Sequence, residues 1–302
     1  MDEQVSGAEL WQWYTQARVE AIAAQVPVGE LDWFLESVTE LDRLSLRLET
    51  YKTMPSVGIT IPWFRLQSVW QTRRVDRVPL QYLVGKTTWR QFELKVSPAV
   101  LIPRPETECL IEHLQEFLLQ TDRSTVQHQA LQTGHWVDLG TGSGAIAIGL
   151  AVLLPQAQIH AVDLSAEALA IAQDNAQACG FGDRIQFHQG SWLDPLAGQP
   201  LIGIISNPPY IPTAMVLELE PEVRQHEPHL ALDGGMDGLN CLRHLVEIAP
   251  AALVSGGVWM VEMMKGQADS VVQLLTSQGQ YQEIRLARDL EGVERFAIAT
   301  RC

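Results

Sequence analysis

The spacing of apolar residues changes along the chain of 302 residues. Up to about residue 80, apolar positions recur every three or four residues, as in Ala8–Ala24 and Leu31–Leu48. This interval is typical of amphipathic helices, and prolines interrupt it at several points. We therefore predict a helical N-terminal domain over residues 1–80.

A different pattern follows over residues 81–102. Gln81–Gly85 and Phe92–Val96 have the composition of two short strands around a turn, which predicts a β-hairpin linker between domains. A helical pattern resumes over residues 105–120. The polar stretch Thr121–Gly134 has no clear period, so we predict a surface loop there.

From His135 onward, short apolar runs alternate with helical stretches. Strands are predicted at residues 135–139, 158–162, 184–189, 201–206, 257–263, 281–287 and 294–300. Helices are predicted between the first five strands and near 267–278, so residues 103–302 should form a mostly parallel sheet with helices on both faces. The loop Asp289–Gly292 is too short for a parallel crossover, so the last two strands should be antiparallel. The predicted fold class is α/β, with a seven-stranded, Rossmann-like sheet. With its reversed last strand, this sheet resembles that of class I methyltransferases more than that of a dinucleotide dehydrogenase.

A glycine-rich motif follows the first of these strands and opens a helix. Glycines permit a tight turn and let a ligand approach the backbone, and the free N–H groups of the helix suit a carboxylate. Asp163 ends the next strand, where an acid can accept hydrogen bonds from ribose hydroxyls. These features predict a nucleotide-type cofactor, either a sulfonium methyl donor or a nicotinamide. The candidate cofactor-binding residues are Asp138, Gly140, Thr141, Gly142, Ser143, Gly144 and Asp163.

The fourth strand ends in Asn207-Pro208-Pro209-Tyr210, at the point where a doubly wound sheet opens its ligand crevice. The two prolines stiffen this turn and remove N–H donors. The Asn207 side-chain oxygen and the Pro208 carbonyl can therefore accept both N–H bonds of a planar NH₂ group, and Tyr210 can stack on it. The turn predicts a methyltransferase acting on an amide or amino nitrogen, with Asn207, Pro208 and Tyr210 as catalytic candidates.

Composition limits the classes of molecule that we expect the protein to bind. The chain has 36 acidic and 21 Lys or Arg residues, a net charge of −15, which disfavours nucleic acid. Four separated cysteines predict reduced thiols and no metal site. The N-terminal residues carry acids without an apolar run, and no run reaches the length of a membrane span. We therefore expect a cytoplasmic protein, and a monomer, without a membrane partner.

Several motifs taken together resemble the HemK/PrmC family of protein-(glutamine-N5) methyltransferases, which modify peptide-chain release factors. The resemblance extends over roughly residues 71–300. Its motifs are Pro79–Gly85, Leu101–Glu108, Asp138–Gly144, Asn207–Pro212, Glu227-Pro228 and Ala231–Gly235.

The resemblance implies S-adenosylmethionine as cofactor and the glutamine of a release factor's Gly-Gly-Gln motif as substrate. It implies that Trp192 and Asn207 join the cofactor site and that the helical domain docks the release factor. The substrate-binding residues would be Asn207, Pro208, Pro209 and Tyr210, with Arg104 at the crevice entrance.

Other readings remain open from the sequence. A sister enzyme that methylates a glutamine of a ribosomal protein shares the Asn207 turn, and an adenine or guanine amino group also fits it. A non-catalytic cofactor-binding adaptor for the translation machinery and a nicotinamide oxidoreductase are two further alternatives.

Overall fold

The computed structural model describes residues 3–122 and 124–302. Met1 and Asp2, in the predicted helical domain, and Arg123, in the predicted loop, lie outside the described residues. Within the two described ranges, no helix is both long and apolar enough to cross a membrane.

The chain divides into two compact units. The first contains the residues up to Gly85 together with Glu220–His226, and the second contains Lys86–Leu219 and Glu227–Cys302. The boundary after Gly85 therefore falls inside the segment predicted as a hairpin linker. The return of the chain to the first unit has no counterpart in the three consecutive domains predicted from sequence.

The first unit is built mainly of helices around an apolar core. Its elements up to Gly85 are β1 (Glu3–Val5), α1 (Gly7–Ala23), α2 (Val28–Val38), α3 (Arg43–Leu48), β2 (Val57–Ile59), α4 (Trp63–Asp76) and α5 (Leu80–Val84). The Ser6 and Asp42 side chains accept N–H bonds from the first turns of α1 and α3, which explains where those helices begin. Strands β1 and β2 pair antiparallel.

Two helices, α2 and α3, lie within and around the stretch Leu31–Leu48, whose apolar pattern predicted amphipathic helix. The first ends at Val38 because Thr39 is extended, with φ −126° and ψ 171°. The Asp42 carboxylate then caps a new helix through the Ser45 N–H at 2.7 Å. The capping residue was the signal for this interruption.

The prediction of a strand over Gln81–Gly85 is wrong, because α5 covers this segment. Pro79 precedes the helix with a fixed φ of −54°, and Gly85 ends it with φ 83°. The Gly85 N–H donates to the Gln81 carbonyl at 2.7 Å. A short apolar run does not distinguish strand from helix by itself, and the flanking Pro and Gly favour the helix.

The second unit begins with a hairpin and continues into the main sheet. The hairpin pairs β3 (Lys86–Trp89) with β4 (Phe92–Lys95) in antiparallel register, so the predicted second strand at Phe92 is confirmed. The strands of the main sheet are β5 (His135–Leu139), β6 (Gln158–Asp163), β7 (Ile185–Gln189), β8 (Leu201–Ser206), β9 (Leu253–Glu262), β10 (Tyr281–Arg288) and β11 (Glu294–Arg301).

The order of the seven strands is β10-β11-β9-β8-β5-β6-β7. Neighbours from β9 to β7 are parallel, whereas β11 is antiparallel to both β9 and β10. The predicted α/β class, the mostly parallel sheet and the reversed last strand are therefore confirmed. The order also places β8 directly between β5 and β9, so the carboxyl ends of these three strands share one edge.

Eight helices accompany the strands between residues 108 and 278 of the described chain. They are α6 (Glu108–Gln120), α7 (Val126–Thr133), α8 (Ala145–Leu153), α9 (Ala166–Ala178), α10 (Thr213–Val216), α11 (Pro221–His226), α12 (Asn240–Ala252) and α13 (Ala268–Gln278). The predicted helix near 267–278 corresponds to α13. Helix α11 belongs to the first unit, and the others belong to the second.

The predicted surface loop Thr121–Gly134 is wrong over most of its length, because it contains α7. The Thr125 hydroxyl caps this helix by accepting the His128 N–H at 3.1 Å. The sequence of α7 is largely polar and buries only Leu131, so its apolar periodicity is weak. The capping threonine was the available signal.

The main sheet carries a separate apolar cluster on each face. One cluster joins α6 and α8 to inward residues such as Trp136, and the other joins α12 and α13 to residues such as Trp259. A Cβ at Gly203 of β8 would lie 2.0 Å from Cε3 of Trp136, so the indole occupies the space above that glycine. This close packing makes the sheet a rigid support for the loops at its carboxyl edge.

A buried arginine holds α11 within the first unit. The Arg73 guanidinium, whose side chain is 2% exposed, binds Glu30 through Nε and Glu222 through Nη2, both at 2.6 Å. Arg77 binds the same Glu222 carboxylate at 2.6 Å. These ion pairs lower the pKa of Glu222 against the opposing effect of its burial. The segment Glu220–His226 is thus anchored by charge in the first unit.

Candidate active site

A glycine turn follows β5 at the carboxyl edge of the sheet. Gly140, Gly142 and Gly144 have φ values of 72°, 53° and 84°, in the left-handed region that disfavours side chains. The N–H groups of Gly140 and Thr141 both donate to the Val162 carbonyl, at 2.9 and 3.0 Å. The turn is therefore tied to the neighbouring strand and presents bare backbone on its outer side.

Asp138 lies beneath this turn and is completely buried. Its Oδ2 atom accepts the Thr141 hydroxyl at 2.6 Å and the Ala147 N–H at 3.0 Å, so it joins the strand, the turn and helix α8. Burial raises the pKa of Asp138 to about 7, against the lowering effect of these two hydrogen bonds. The Oδ1 atom has no hydrogen-bond partner among the described residues. Asp138 therefore acts on the turn from below.

Asp163 ends β6 on the other side of the turn. Its Oδ2 accepts the Gly142 N–H at 2.8 Å, and its Oδ1 accepts the Ser165 N–H at 2.9 Å. Ser165 in turn caps α9 through the Ala168 N–H. The carboxylate is therefore held by backbone donors in a fixed orientation, and it still borders open space where a ligand hydroxyl can reach it.

A cavity of about 550 Å³ opens between these elements, within the second unit. This volume is in the range of small-molecule sites, roughly 300–1,000 Å³. Of the residues predicted for cofactor binding, those that line it are Gly140, Thr141, Gly142, Ser143, Asp163, Trp192 and Asn207. Asp138 and Gly144 do not line it among the described residues, because Asp138 is buried below the turn and Gly144 packs against α9. The assignment of Asp138 and Gly144 to the cofactor site therefore stays a prediction.

Trp192 lines the cavity next to the glycine turn. Its backbone φ of 46° is uncommon for a bulky residue. The indole ring lies beside Gly140, where an added Cβ would be 3.9 Å from Cζ3. A bulky side chain held in this conformation at a cavity wall is consistent with packing against a flat ligand.

The Asn207 turn forms part of the cavity wall through Asn207 and Pro209. Nδ2 of Asn207 donates to Oγ1 of Thr107 at 3.1 Å, and Thr107 donates to Oε2 of Glu262 at 2.7 Å. The Tyr210 hydroxyl donates to Oε1 of the same carboxylate at 2.8 Å. Four side chains from three separate segments are thus joined in one hydrogen-bond network.

Burial of this network raises the pKa values of its two ionisable side chains, Glu262 and Tyr210. Glu262 is 1% exposed, and burial raises its pKa against the lowering effect of its hydrogen bonds from Thr107 and Tyr210. Burial, followed by the Glu262 charge, raises the pKa of Tyr210 well above its ordinary value. Tyr210 therefore remains a hydroxyl donor at neutral pH.

The structure brings together some predicted substrate residues and separates others. Arg104, Asn207 and Pro209 line the cavity, whereas Pro208 and Tyr210 do not. Pro208 is buried, and the Tyr210 hydroxyl is turned toward Glu262. The prediction that Tyr210 stacks on a substrate stays a prediction.

Arg104, which the family resemblance implied at the crevice entrance, lines the cavity. Its Nη2 atom binds Oε1 of Glu227 at 2.7 Å, and the Glu227 side chain is 1% exposed. Burial raises the pKa of Glu227 against the opposing influence of Arg104. Arg104 is therefore held in position by a buried ion pair.

Sequence reasoning missed Thr107, Glu227 and Glu262 as site residues. A signal existed for Glu262, since an acid at the end of a mainly apolar strand resembles Asp163 at the end of β6. The signal for Thr107 was ambiguous, because a threonine before a helix ordinarily caps it. Here Thr107 makes no capping bond and donates to Glu262 instead.

Metal ligation has no candidate here. Across residues 3–122 and 124–302, no group of three or more His, Cys, Asp or Glu is placed to hold a metal ion. All four cysteines are free thiols.

The cavity walls suit S-adenosylmethionine in their donor and acceptor types. The turn exposes backbone without side chains at Gly140 and Gly142, where an anionic carboxylate is favoured. The Asp163 carboxylate borders the same space and accepts hydroxyl donors, while Trp192 offers an apolar ring face. The residues present therefore fit an amino acid–nucleoside conjugate.

Residues 108–220 match the methyltransferase small domain family. Among solved structures, the chain is similar in fold to the hMettl16 catalytic domain in complex with MAT2A 3'UTR hairpin 6, with a TM-score of 0.54, 12% identity, and 88% of each chain covered. It is also similar to the delta-N METTL16 MTase domain, with a TM-score of 0.51, 17% identity, and 69% and 87% of the two chains covered. At these identities the likeness shows the class I methyltransferase fold alone.

Curated relatives match nearly the whole chain, including the helical unit that the motifs left uncovered. A release factor glutamine methyltransferase of Synechocystis sp. is 50% identical, covering 98% of this chain and 97% of the relative. The protein of the same name from Thermosynechococcus vestitus is 46% identical, covering 98% and 99%. One from Deinococcus radiodurans is 39% identical, covering 95% and 96%. The chain therefore belongs to the family of release factor glutamine methyltransferases.

Proposed function

We propose that this protein transfers a methyl group from S-adenosylmethionine to the side-chain amide nitrogen (N5) of the glutamine in the Gly-Gly-Gln motif of peptide-chain release factors. One observation carries the proposal beyond family membership. In the cavity wall the Asn207 amide has its donor end occupied by Thr107, so its oxygen is the end available to a ligand NH₂ group.

The cofactor residues proposed are those that border the cavity, together with two that support them. S-adenosylmethionine supplies a methyl group activated by a sulfonium. Asp163 accepts hydrogen bonds from hydroxyls, and the Gly140–Ser143 backbone receives a carboxylate. The indole of Trp192 packs against the aromatic face of the cofactor's adenine. Asp138 and Gly144 act through the turn, which they hold from behind.

The substrate residues orient a weak nucleophile. An amide nitrogen reacts poorly because its lone pair is delocalised into its carbonyl. Accepting its two N–H bonds, by Oδ1 of Asn207 and by the Pro208 carbonyl, raises electron density on nitrogen and fixes its direction. Such alignment contributes several kcal/mol in general, up to roughly 7–11 kcal/mol.

The remaining groups of the turn restrict its movement. The Tyr210 carbonyl accepts the Gln267 amide at 3.0 Å, and its hydroxyl binds Glu262. Pro209 and Arg104 shape the wall through which the glutamine enters. The amide proton is lost to water or to a loop carbonyl during or after methyl transfer, without a side-chain base in the turn.

The wider setting is also proposed. Residues 1–80 dock the release factor, and the protein acts as a monomer in the cytoplasm without binding nucleic acid. The net charge of −15 favours a basic protein surface over phosphate.

The test is incubation with labelled S-adenosylmethionine and a purified release factor, followed by peptide mass mapping. We expect one methyl group on the glutamine of Gly-Gly-Gln, and none on a release factor whose glutamine is replaced by asparagine. Parallel reactions contain ribosomes or total RNA. A label that enters ribosomal protein or RNA and leaves the release factor unmodified would overturn the assignment.

A further inference from the structure

In the hydrogen-bond network of Asn207, Thr107, Glu262 and Tyr210, the acceptor at one end decides which group donates at each step. Both oxygens of Glu262 are engaged as acceptors, which is the pattern of an ionised carboxylate that donates no hydrogen bond. Burial raises the pKa of Glu262, and its two hydrogen bonds and the Arg295 charge oppose this and favour the ionised form. Each oxygen of Glu262 accepts one hydroxyl, Oε2 from Thr107 and Oε1 from Tyr210. The network therefore starts from an acceptor that both hydroxyls must face.

The orientation of the Thr107 hydroxyl determines which end of the Asn207 amide faces it. A threonine hydroxyl has a single hydrogen, and in this network that hydrogen points to Glu262. Only the lone pairs of Oγ1 remain, so the neighbouring amide must present N–H, which is the observed bond from Nδ2 of Asn207. The Asn207 oxygen is then turned to the opposite side.

We propose that Glu262, acting through Thr107, is a positioning residue that keeps the oxygen of Asn207 toward the cavity and thereby selects an NH₂ group over a carboxylate. The inference rests on the proposed transfer to a glutamine nitrogen and extends it to the discrimination of glutamine from glutamate. A carboxylate in the same place meets the Asn207 oxygen, acceptor against acceptor, and gains no hydrogen bond there.

Reversing the network removes this selectivity. A neutral side chain at position 262 that donates to Thr107 frees the threonine hydrogen for the Asn207 oxygen. The amide then turns its NH₂ group to the cavity, where it suits a carboxylate. The charged groups that act on Glu262 are Arg295, which favours the ionised carboxylate, and Glu106, which opposes it.

Burial makes the direction hard to lose by solvent exchange. Thr107 and Glu262 are 4% and 1% exposed, so water does not readily replace either partner. Inside a protein such networks are strong when every member is satisfied. Both oxygens of Glu262 are satisfied here, which fits a role in fixing orientation.

The experiment compares Thr107→Val, Thr107→Ser and Glu262→Gln. Thr107→Val keeps the shape but removes the hydroxyl, and we expect kcat on the release factor to fall by about 10²-fold with little change in KM, as for other misoriented groups. Thr107→Ser keeps the hydroxyl and should restore most of the activity. A side chain needed only for packing would show no such recovery with the smaller serine.

A second readout needs no turnover. Binding is measured for two release factors, one with the natural Gly-Gly-Gln motif and one with glutamate in place of glutamine. The wild-type protein should prefer the glutamine form, and the preference should fall by about 10-fold in Thr107→Val and Glu262→Gln, as expected for one hydrogen bond near 1.4 kcal/mol. Thr300→Val is the matched control, because its buried hydroxyl also contacts a carboxylate, Glu283.

The outcomes separate this inference from the proposed function. An unchanged preference in both variants, or a Thr107→Ser protein as defective as Thr107→Val, overturns the positioning role even when the wild type methylates its substrate. If Glu262→Gln does not fold, the two Thr107 variants still show whether the network positions Asn207. If the wild type modifies no release factor, the proposed function fails, whereas the amide ¹⁵N spectrum of Asn207 still reports its bond to Thr107.

Discussion

Two buried carboxylates support the two halves of the active site in different ways. Asp138 lies under the glycine turn and binds Thr141 and Ala147, three and nine residues away. Glu262 lies under the Asn207 turn and binds Tyr210 and Thr107, 52 and 155 residues away. Both are almost fully buried, and burial raises the pKa of both.

The difference lies in what each carboxylate organises. Asp138 shapes one continuous segment, so its effect is on backbone that receives a cofactor. Glu262 joins side chains from separate segments, so its effect is on the direction of a single amide. The cofactor half should therefore respond to mutation in affinity and stability, and the amide half in turnover.

The largest expected effect is on the amide half. Asn207→Ala removes the oxygen that accepts the substrate N–H bond, and we expect kcat/KM for the release factor to fall by about 10³-fold, comparable to the loss of one preorganised hydrogen-bonding group in other enzymes. Labelled methyl transfer measures this. Near-normal turnover in a folded Asn207→Ala protein would remove Asn207 from its proposed role.

A smaller effect is expected on the cofactor half. Asp163→Asn replaces one acceptor oxygen by a donor, so the affinity for S-adenosylmethionine should fall by about 10–100-fold, as for a hydrogen bond to a charged group. At saturating cofactor, kcat should stay within a few-fold of wild type. Calorimetric titration measures the affinity.

The control for this variant is Asp174→Asn, since Asp174 is an exposed acid paired with Lys95 and does not line the cavity. It should bind the cofactor like the wild type. If Asp163→Asn instead lost turnover without losing affinity, the contrast between the two halves would be wrong.

The sequence predicted the cofactor half better because its information is local. The motif after β5, the acid that ends β6 and the alternation of strands and helices are each readable within a short window. All seven strands of the main sheet lie where the pattern placed them, within a few residues. The Asn207 turn was also visible, since its four residues are consecutive.

The remaining features of the site could not be predicted from the sequence because they depend on tertiary contacts. Glu262 reaches Tyr210 because β9 pairs with β8 in the sheet, and Thr107 reaches Glu262 from the distant segment before α6. The bond from the Tyr210 hydroxyl to Glu262 depends on the same pairing, since Tyr210 follows β8 and Glu262 ends β9. The errors at Gln81–Gly85 and Thr121–Gly134 arose where a short or polar helix lacks a strong apolar period and its ends are marked only by single capping residues.

Two glycines sharpen the description of the cofactor half. A Cβ at Gly144 would lie 3.1 Å from Cβ of Ala172, whereas a Cβ at Gly142 would meet nothing within 4 Å and would face the cavity. Both have positive φ, so alanine costs about 1–2 kcal/mol of stability at either position. Gly144→Ala should lose more than this, because it also crowds α9.

Two measurements distinguish the effects of Gly142→Ala and Gly144→Ala. Chemical unfolding should rank Gly144→Ala as the less stable protein, and cofactor titration should rank Gly142→Ala as the weaker binder, since its new methyl group enters the ligand space. Equal effects of both substitutions on both measurements would mean that the turn does not have distinct inner and outer sides.

The smallest expected signal concerns Asp138 itself. Its pKa is about 7 in the folded protein and near 3.8 in the unfolded chain, so the protonated form favours folding. This contribution is fully present below the unfolded pKa and is lost as pH rises through about 7. In Asp138→Asn the position no longer titrates, so the difference in unfolding free energy between variant and wild type should shift in favour of the variant by about 1 kcal/mol from pH 6 to pH 7. Urea unfolding at both pH values measures it. Parallel pH profiles would mean that Asp138 stays ionised under the turn, and the resemblance between the two buried carboxylates would then end at their burial.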